Sequence, residues 1–158
     1  MTTISDHGVQ LHFFRSSRAM ETHLAVLATT GRAMDENLRA DIGEYMLGQV
    51  QDNFDHQTLF DGTAMPQSLR ALDETGKTLI DRHHLYDSYV YQVTPDGVEI
   101  GSNSIYARIH HFGGEAGGRG HRITLDPRPV LGMTDEIERH IGALMIADLQ
   151  GKEPGALQ

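Results

Sequence analysis

The chain has 158 residues, with 13 basic and 22 acidic side chains, ten histidines, no cysteine and a formal charge of −9. This length suits a single domain, residues 1–158, that can bury a core of its own. The missing cysteines exclude disulfide scaffolds, cysteine-ligated zinc, iron–sulfur clusters and thiol catalysis. No run of apolar residues is long enough for a membrane span and the start shows no secretory signal, so we expect a soluble protein.

The first predicted elements are a short strand and a helix. Residues 9–14 alternate apolar and polar positions, which is typical of a half-buried strand. Ser16 and Ser17 can cap a helix over residues 17–30, which Gly31 would end. The chain ends, residues 1–15 and 151–158, are expected to be flexible.

The strongest prediction is a long helix over residues 33–55. Its apolar residues recur in steps of three or four and form one stripe: Met34, Leu38, Ile42, Tyr45, Met46, Val50 and Phe54. Gly43 and Gly48 each weaken a helix interior by about 1 kcal/mol relative to alanine. They indicate either a close approach of another part of the chain or an unconstrained surface position.

A long loop and a hairpin follow. Residues 56–78 contain turn residues and little periodicity, which predicts a long flexible loop with at most one helical turn. Alternation in residues 89–93 and 98–100, around Thr94-Pro-Asp-Gly97, predicts a β-hairpin. We expect a third strand over residues 105–111 and a fourth over 123–131. Between them, residues 113–120 include five glycines, which predicts a flexible connection.

A final helix is predicted between Thr134, as its N-cap, and Gly151. Ile137, Ile141, Leu144, Met145 and Leu149 would form its buried stripe. The expected fold class is therefore α+β, with a small antiparallel sheet (a hairpin plus one or two strands), two or three helices and long flexible loops.

Chemical motifs are weak. The pairs His83-His84 and His110-His111 are adjacent in sequence, so neither pair converges on one metal ion unaided. The glycine-rich run lacks the lysine and hydroxyl of a phosphate-binding loop. Residues 101–130 carry four arginines against two carboxylates, in an otherwise acidic chain. This basic patch is either a solvated loop or a contact with an acidic partner.

An ordered set of motifs resembles a known family. It includes Tyr-Ala-Arg-Ile-His-His-Phe-Gly-Gly (residues 106–114) and Arg-Pro-Val-Leu-Gly (residues 128–132), preceded by residues 78–88 and 96–101. Over residues 33–150 the chain resembles the phage virion morphogenesis family, or tail completion proteins, of Mu-like phages and prophages. The family commonly has a tryptophan where Met65 stands, Thr-Gly where Arg82-His83 stand, and a phenylalanine where Val130 stands.

The resemblance implies a structural protein without a cofactor that acts in tail completion or head–tail joining. It would be a neck subunit in a homo-oligomeric ring, in the virion and, before assembly, in the host cytoplasm. Neighbouring head-connector and tail proteins would be its partners, no membrane is involved, and DNA could pass through the ring without specific binding. The expected interface and structural residues are Tyr106, His110, Phe112, Gly113, Arg119, His121, Arg122, Arg128 and Pro129.

Other interpretations of these residues stay open. Tyr106 and Phe112 could pack in the core, and Arg128 could form a surface ion pair. A histidine-dependent metallohydrolase of the virion, or a DNA-binding module that uses residues 101–130, are alternative functions.

Overall fold

The computed structural model describes residues 2–5, 8–11, 25, 35–95, 97–117, 120 and 122–149. The helices with both ends described are α1 (Glu36–His56), α2 (Leu69–Asp73), α3 (Ile105–Phe112) and α4 (Asp135–Leu149). The strands are β1 (Thr2–Ser5), β2 (Gly8–Leu11), β3 (Tyr89–Thr94), β4 (Gly97–Ser102), β5 (Gly114–Ala116) and β6 (Ile123–Leu125). The predicted α+β class is confirmed.

The larger sheet has four strands in the order β1-β2-β4-β3, and every neighbouring pair is antiparallel. The predicted hairpin is β3–β4, which closes with Thr94 opposite Gly97. Strand β2 overlaps the strand predicted over residues 9–14, whereas β1 has no counterpart among the predicted elements. Strands β5 and β6 form a separate two-stranded sheet.

Helix α1 confirms the strongest sequence prediction. Asp35 caps it by accepting a hydrogen bond from the Asn37 N–H at 3.2 Å. Five residues of the predicted stripe are buried: Leu38, Ile42, Met46, Val50 and Phe54. The stripe packs on the face of the sheet that carries Tyr89, and α4 covers the same core.

The two glycines of α1 differ. A Cβ on Gly43 would lie 2.3 Å from the Tyr91 ring, whereas one on Gly48 would meet nothing within 4 Å. Close approach therefore explains Gly43, and Gly48 occupies an unconstrained position.

Residues 56–78 are largely irregular, and the single helical turn expected there is present as α2, but this segment is packed against the core. Gln57 Nε2 donates to Thr78 O at 3.1 Å, and Thr78 N donates back to Gln57 Oε1 at 2.6 Å. Thr78 is buried, together with Met65 and Ala71. Irregular backbone can pack against a core when its polar groups are paired in this way.

Two predicted strands are wrong. Residues 105–111 form helix α3 instead of a strand. Ser104 favours the helix because its side chain caps the N-terminus. Of residues 123–131 only β6 is a strand. Pro127 and Pro129 follow it at once, and proline cannot donate to a strand ladder.

The predicted final helix is α4. Ile137 N donates to Thr134 Oγ1 at 3.2 Å, which confirms the N-cap. Ile137, Ile141, Leu144 and Met145 are buried as expected. The helix predicted over residues 17–30 lies outside the described residues, except that Ala25 is helical. Among the helices that are described, none is long and apolar enough to cross a membrane.

Candidate interaction surface

Helix α3 is short and defined at both ends. Its N-cap, Ser104, accepts a hydrogen bond from the Tyr106 N–H at 3.3 Å through its side chain. The helix ends at Gly113, whose φ of 70° suits glycine. A Cβ on Gly113 would lie 2.7 Å from the carbonyl oxygen of Leu125, so only glycine lets β6 pass this close to the helix end.

The two faces of α3 have different surroundings. Ala107 and His111, one turn apart, are buried and attach the helix to the rest of the chain. Ile105, Tyr106 and Phe112 are exposed, with 63% of Tyr106 and 43% of Phe112 accessible to solvent. Core packing therefore does not explain Tyr106 or Phe112. We call Ile105, Tyr106 and Phe112 the α3 outer face.

Three of the residues predicted from sequence line one cleft beside this helix. Tyr106, His110 and Arg128 are among the residues that line this cleft, which has a volume of about 370 Å³. The other lining residues come from α2 and its flanks, from the segment before β3, and from the neighbourhood of α3 and β6: Ser68, Arg70, Leu79, Asp81, Arg82, His84, Leu85, Ser104 and Leu125. The lining thus combines leucines and Tyr106 with three arginines and two histidines, and Asp81 is its one carboxylate.

Arg128 is a structural residue rather than part of a surface ion pair. Only 5% of it is exposed. Its side chain donates to the carbonyl oxygens of Pro66 at 2.7 Å, Asp126 at 3.2 Å and Gln67 at 3.4 Å. Its backbone N–H donates to His110 O at 2.7 Å. Arg128 therefore joins the segment after β6 to the loop before α2 and to the end of α3.

His110 and His111 have altered proton affinity. Burial lowers the pKa of His110, and the nearby Arg128 guanidinium lowers it further. Burial alone lowers the pKa of His111. The buried Nδ1 atoms of both rings have no hydrogen-bond partner among the described residues. These features favour neutral rings at neutral pH.

The remaining predicted residues are dispersed. The Pro129 carbonyl oxygen accepts a hydrogen bond from Phe60 N at 3.0 Å, which fixes the segment that follows Arg128. Arg122 forms an exposed ion pair with Glu115 at 3.3 Å. Arg119 and His121 lie outside the described residues.

Sequence reasoning missed several residues near the cleft. Leu69 and Leu72 are exposed on α2, whose Ser68 cap and Arg70 line the cleft, and Ile105 opens α3. Ser68 followed by Leu69-Arg-Ala-Leu72 is a cap before a helical turn, and this signal could have placed the two leucines. Nothing in the local pattern indicates that they face solvent.

Within the described ranges, no three histidine, aspartate or glutamate side chains are grouped so that they could hold a metal ion. What the cleft and the α3 outer face combine is apolar surface with fixed positive charge. Such surfaces are typical of protein contacts.

Comparisons with known proteins agree with the motifs. The model described as the phage virion morphogenesis family matches residues 16–150. The chain is also similar to the Mu-like prophage FluMu G protein 2 of Haemophilus influenzae, with 36% identity over 66 residues. That alignment covers 42% of this chain and 47% of the relative, so it spans about half the length of the curated protein. The comparison with solved structures finds no match.

Proposed function

The chain belongs to the phage virion morphogenesis family, and from that premise we propose that it completes the tail or joins the tail to the head as a structural subunit without enzymatic activity. The family match, which covers residues 16–150, carries this proposal. Its coarser content follows from membership itself: the protein is associated with the virion and has a structural role in its morphogenesis.

In the proposed assembly, copies of the chain form a closed ring through heterologous contacts, in which two different surfaces of adjacent copies meet. Head-connector proteins lie on one side of the ring and tail proteins on the other. DNA passes through the lumen without specific binding. The charge of −9 supports this, because an acidic surface repels the phosphate backbone.

The α3 outer face is the proposed contact with a neighbouring protein. Ile105, Tyr106 and Phe112 expose apolar surface, and Tyr106 also lines the cleft that contains three arginines. Burial of apolar surface stabilises protein contacts, and aromatic side chains contribute strongly to them. The basic side chains of the cleft favour an acidic surface on that neighbouring protein.

A DNA-binding role for residues 101–130 has less support. Arg128 is buried and bonded to three carbonyl groups, so it cannot also neutralise a phosphate. Arg122 is paired with Glu115. Affinity for a duplex depends on several free cations acting together.

The experiment is electron microscopy of particles assembled without this protein. We expect heads and tails to accumulate separately by negative stain, with few infectious particles, and supplying the protein from a plasmid should restore joining. Complete infectious particles formed without the protein would contradict the proposal.

A further inference from the structure

The four-stranded sheet has two open edges. β1 lies at one side and β3 at the other, and within the residues described here neither pairs with a further strand. An open edge presents unpaired N–H and C=O groups that can pair with another chain, and proteins usually cover or blunt such edges. With respect to the described residues, both edges of this sheet are therefore open to strand addition.

The outward-facing residues of β3 follow from its register. Thr94 faces Gly97 across a two-residue loop, so this pair exchanges hydrogen bonds and the pairs alternate from there. The backbone groups of Tyr91 and Val93 consequently point away from β4. The backbone N–H of Tyr89, two residues earlier, also points away from β4, since it donates to Tyr86 O at 3.4 Å.

The same reasoning applies to β1. Ser5 faces Gly8 across a two-residue loop, so Ser5 and Thr3 exchange hydrogen bonds with β2. The backbone groups of Thr2 and Ile4 then point away from the sheet. On each edge strand, two residues with outward-pointing backbone groups are separated by one residue. The spacing of these groups is therefore the same on β1 and on β3.

The strand directions also match. All three pairings in the order β1-β2-β4-β3 are antiparallel, so β1 and β3 run in opposite directions. A β1 strand from another copy placed beside β3 continues the alternation. The β1–β2 hairpin precedes residues 16–150, so this edge lies outside the part of the chain that the family match covers.

We propose that adjacent copies join by antiparallel addition of β1 of one copy to β3 of the next, with Thr2 opposite Val93 and Ile4 opposite Tyr91. The inference rests on the proposed ring and specifies the contact that closes it. Head-to-tail addition leaves no open edge once the ring closes. The sheet face opposite α1 exposes Val90, Gln92 and Glu99.

A two-fold contact between two β3 strands is the main competing arrangement. It is also antiparallel, but it yields a dimer and leaves both β1 edges open. In the register that pairs Tyr91 with Val93, Gln92 of one copy lies opposite Gln92 of the other. The two arrangements therefore bring different residues together.

Cysteine cross-linking of the full chain distinguishes them, because the protein has no cysteine of its own. In the proposed register Thr3 lies opposite Gln92 as a pair without mutual hydrogen bonds, with Cα atoms about 4.5 Å apart, which a disulfide can bridge. Oxidised Thr3→Cys/Gln92→Cys protein should give a ladder of covalent oligomers on non-reducing gels. Each single variant should remain at the mass of one chain. A covalent dimer of Gln92→Cys alone would overturn the proposal in favour of the two-fold contact.

A second pair of variants tests the edge without a cross-link. Val93→Pro removes an outward N–H and keeps the β3–β4 hydrogen bonds, whereas Val93→Thr keeps the N–H. By light scattering we expect Val93→Pro to shift to the mass of one chain and Val93→Thr to match the unchanged protein. If the wild type is oligomeric but oxidised Thr3→Cys/Gln92→Cys protein gives no ladder, this contact is refuted and the ring proposal remains. A wild type that stays monomeric at every concentration would refute the ring as well.

Discussion

Helices α1 and α3 use their apolar residues in different ways. The apolar stripe of α1 faces one core, and Phe54 at its end is completely buried against Tyr86 and Tyr89, with ring centroids 5.5 and 5.8 Å away. Helix α3 buries only Ala107 and His111, and it exposes larger apolar residues on its other side. The long helix is thus built for the fold, and the short one also presents a surface.

The difference between α1 and α3 shows how a helix can expose a contact surface while the core stays fully packed. Arg128 and Gly113 fix the end of α3 through backbone contacts, so the exposed aromatic residues are not needed to hold it. Changes to the α3 outer face should therefore affect assembly more than folding. Changes to α1 should do the reverse.

The largest expected effect comes from the two phenylalanines. Phe54→Ala should lower the free energy of unfolding by about 3–5 kcal/mol, because it leaves a cavity in the core. Phe112→Ala should lower it by less than about 1 kcal/mol, since the ring is 43% exposed. Urea denaturation of both variants measures this difference. Equal losses would contradict the distinction between the helices.

Two arginines give the next comparison. Arg128→Leu removes the donor for the carbonyl groups of Pro66, Gln67 and Asp126, which should destabilise the protein by about 2–4 kcal/mol. Arg122→Leu breaks only an exposed ion pair and should change stability by less than about 0.5 kcal/mol. Thermal unfolding followed by circular dichroism checks both. A stable Arg128→Leu variant would show that the buried guanidinium does not hold the loop before α2 to the segment after β6.

The glycines of α1 form a matched pair with opposite expected signs. Gly43→Ala places a Cβ against the Tyr91 ring and should cost about 1–3 kcal/mol, a typical overpacking penalty. Gly48→Ala meets no neighbour and should stabilise the helix by up to about 1 kcal/mol. The denaturant midpoints of the two variants, compared with that of the unchanged protein, measure both effects. Stabilisation by both would mean that Tyr91 moves aside freely.

A smaller effect is expected from pH. Burial lowers the pKa of His111 below its ordinary value of 6.5, so the folded state binds a proton less readily than the unfolded chain. Stability from this residue is complete above about pH 6.5 and is lost as the pH falls toward the folded-state pKa. Denaturation between pH 7.5 and 5.5 should show this decline, and His111→Phe should reduce it. Identical pH profiles would exclude His111 as its source.

The fold was predictable where the apolar residues of an element recur with one period and all face the same core. The stripe of α1 and the Thr134 cap of α4 are local signals, and the structure agrees with both. The strand expected over residues 105–111 is helix α3. Ile105, Ala107 and Ile109 occupy every second position, and residues on two faces of a helix can show that spacing as well. The packing of residues 56–78 against the core could not be predicted, since the Gln57–Thr78 contact joins residues far apart in the sequence.

The candidate site was predictable in its residues rather than its geometry. The motifs singled out Tyr106, His110 and Arg128, which line one cleft. The burial of Arg128 depends on carbonyl groups from a distant loop, so no pattern around residue 128 could have indicated it. Leu69 and Leu72 are exposed because no described part of the chain covers their side of α2, and the sequence around them does not indicate this.

The most direct test of the central claim is complementation of phage that lack this protein with Tyr106→Ser, and with Ile146→Ser as the control. Both residues are exposed and apolar, but Ile146 belongs to α4 and not to the α3 outer face. We expect both variants to fold with unchanged melting temperatures. Tyr106→Ser should leave heads and tails unjoined, and Ile146→Ser should restore complete particles. Joined, infectious particles at the wild-type level with Tyr106→Ser would contradict the claim that the α3 outer face is a contact surface of the virion.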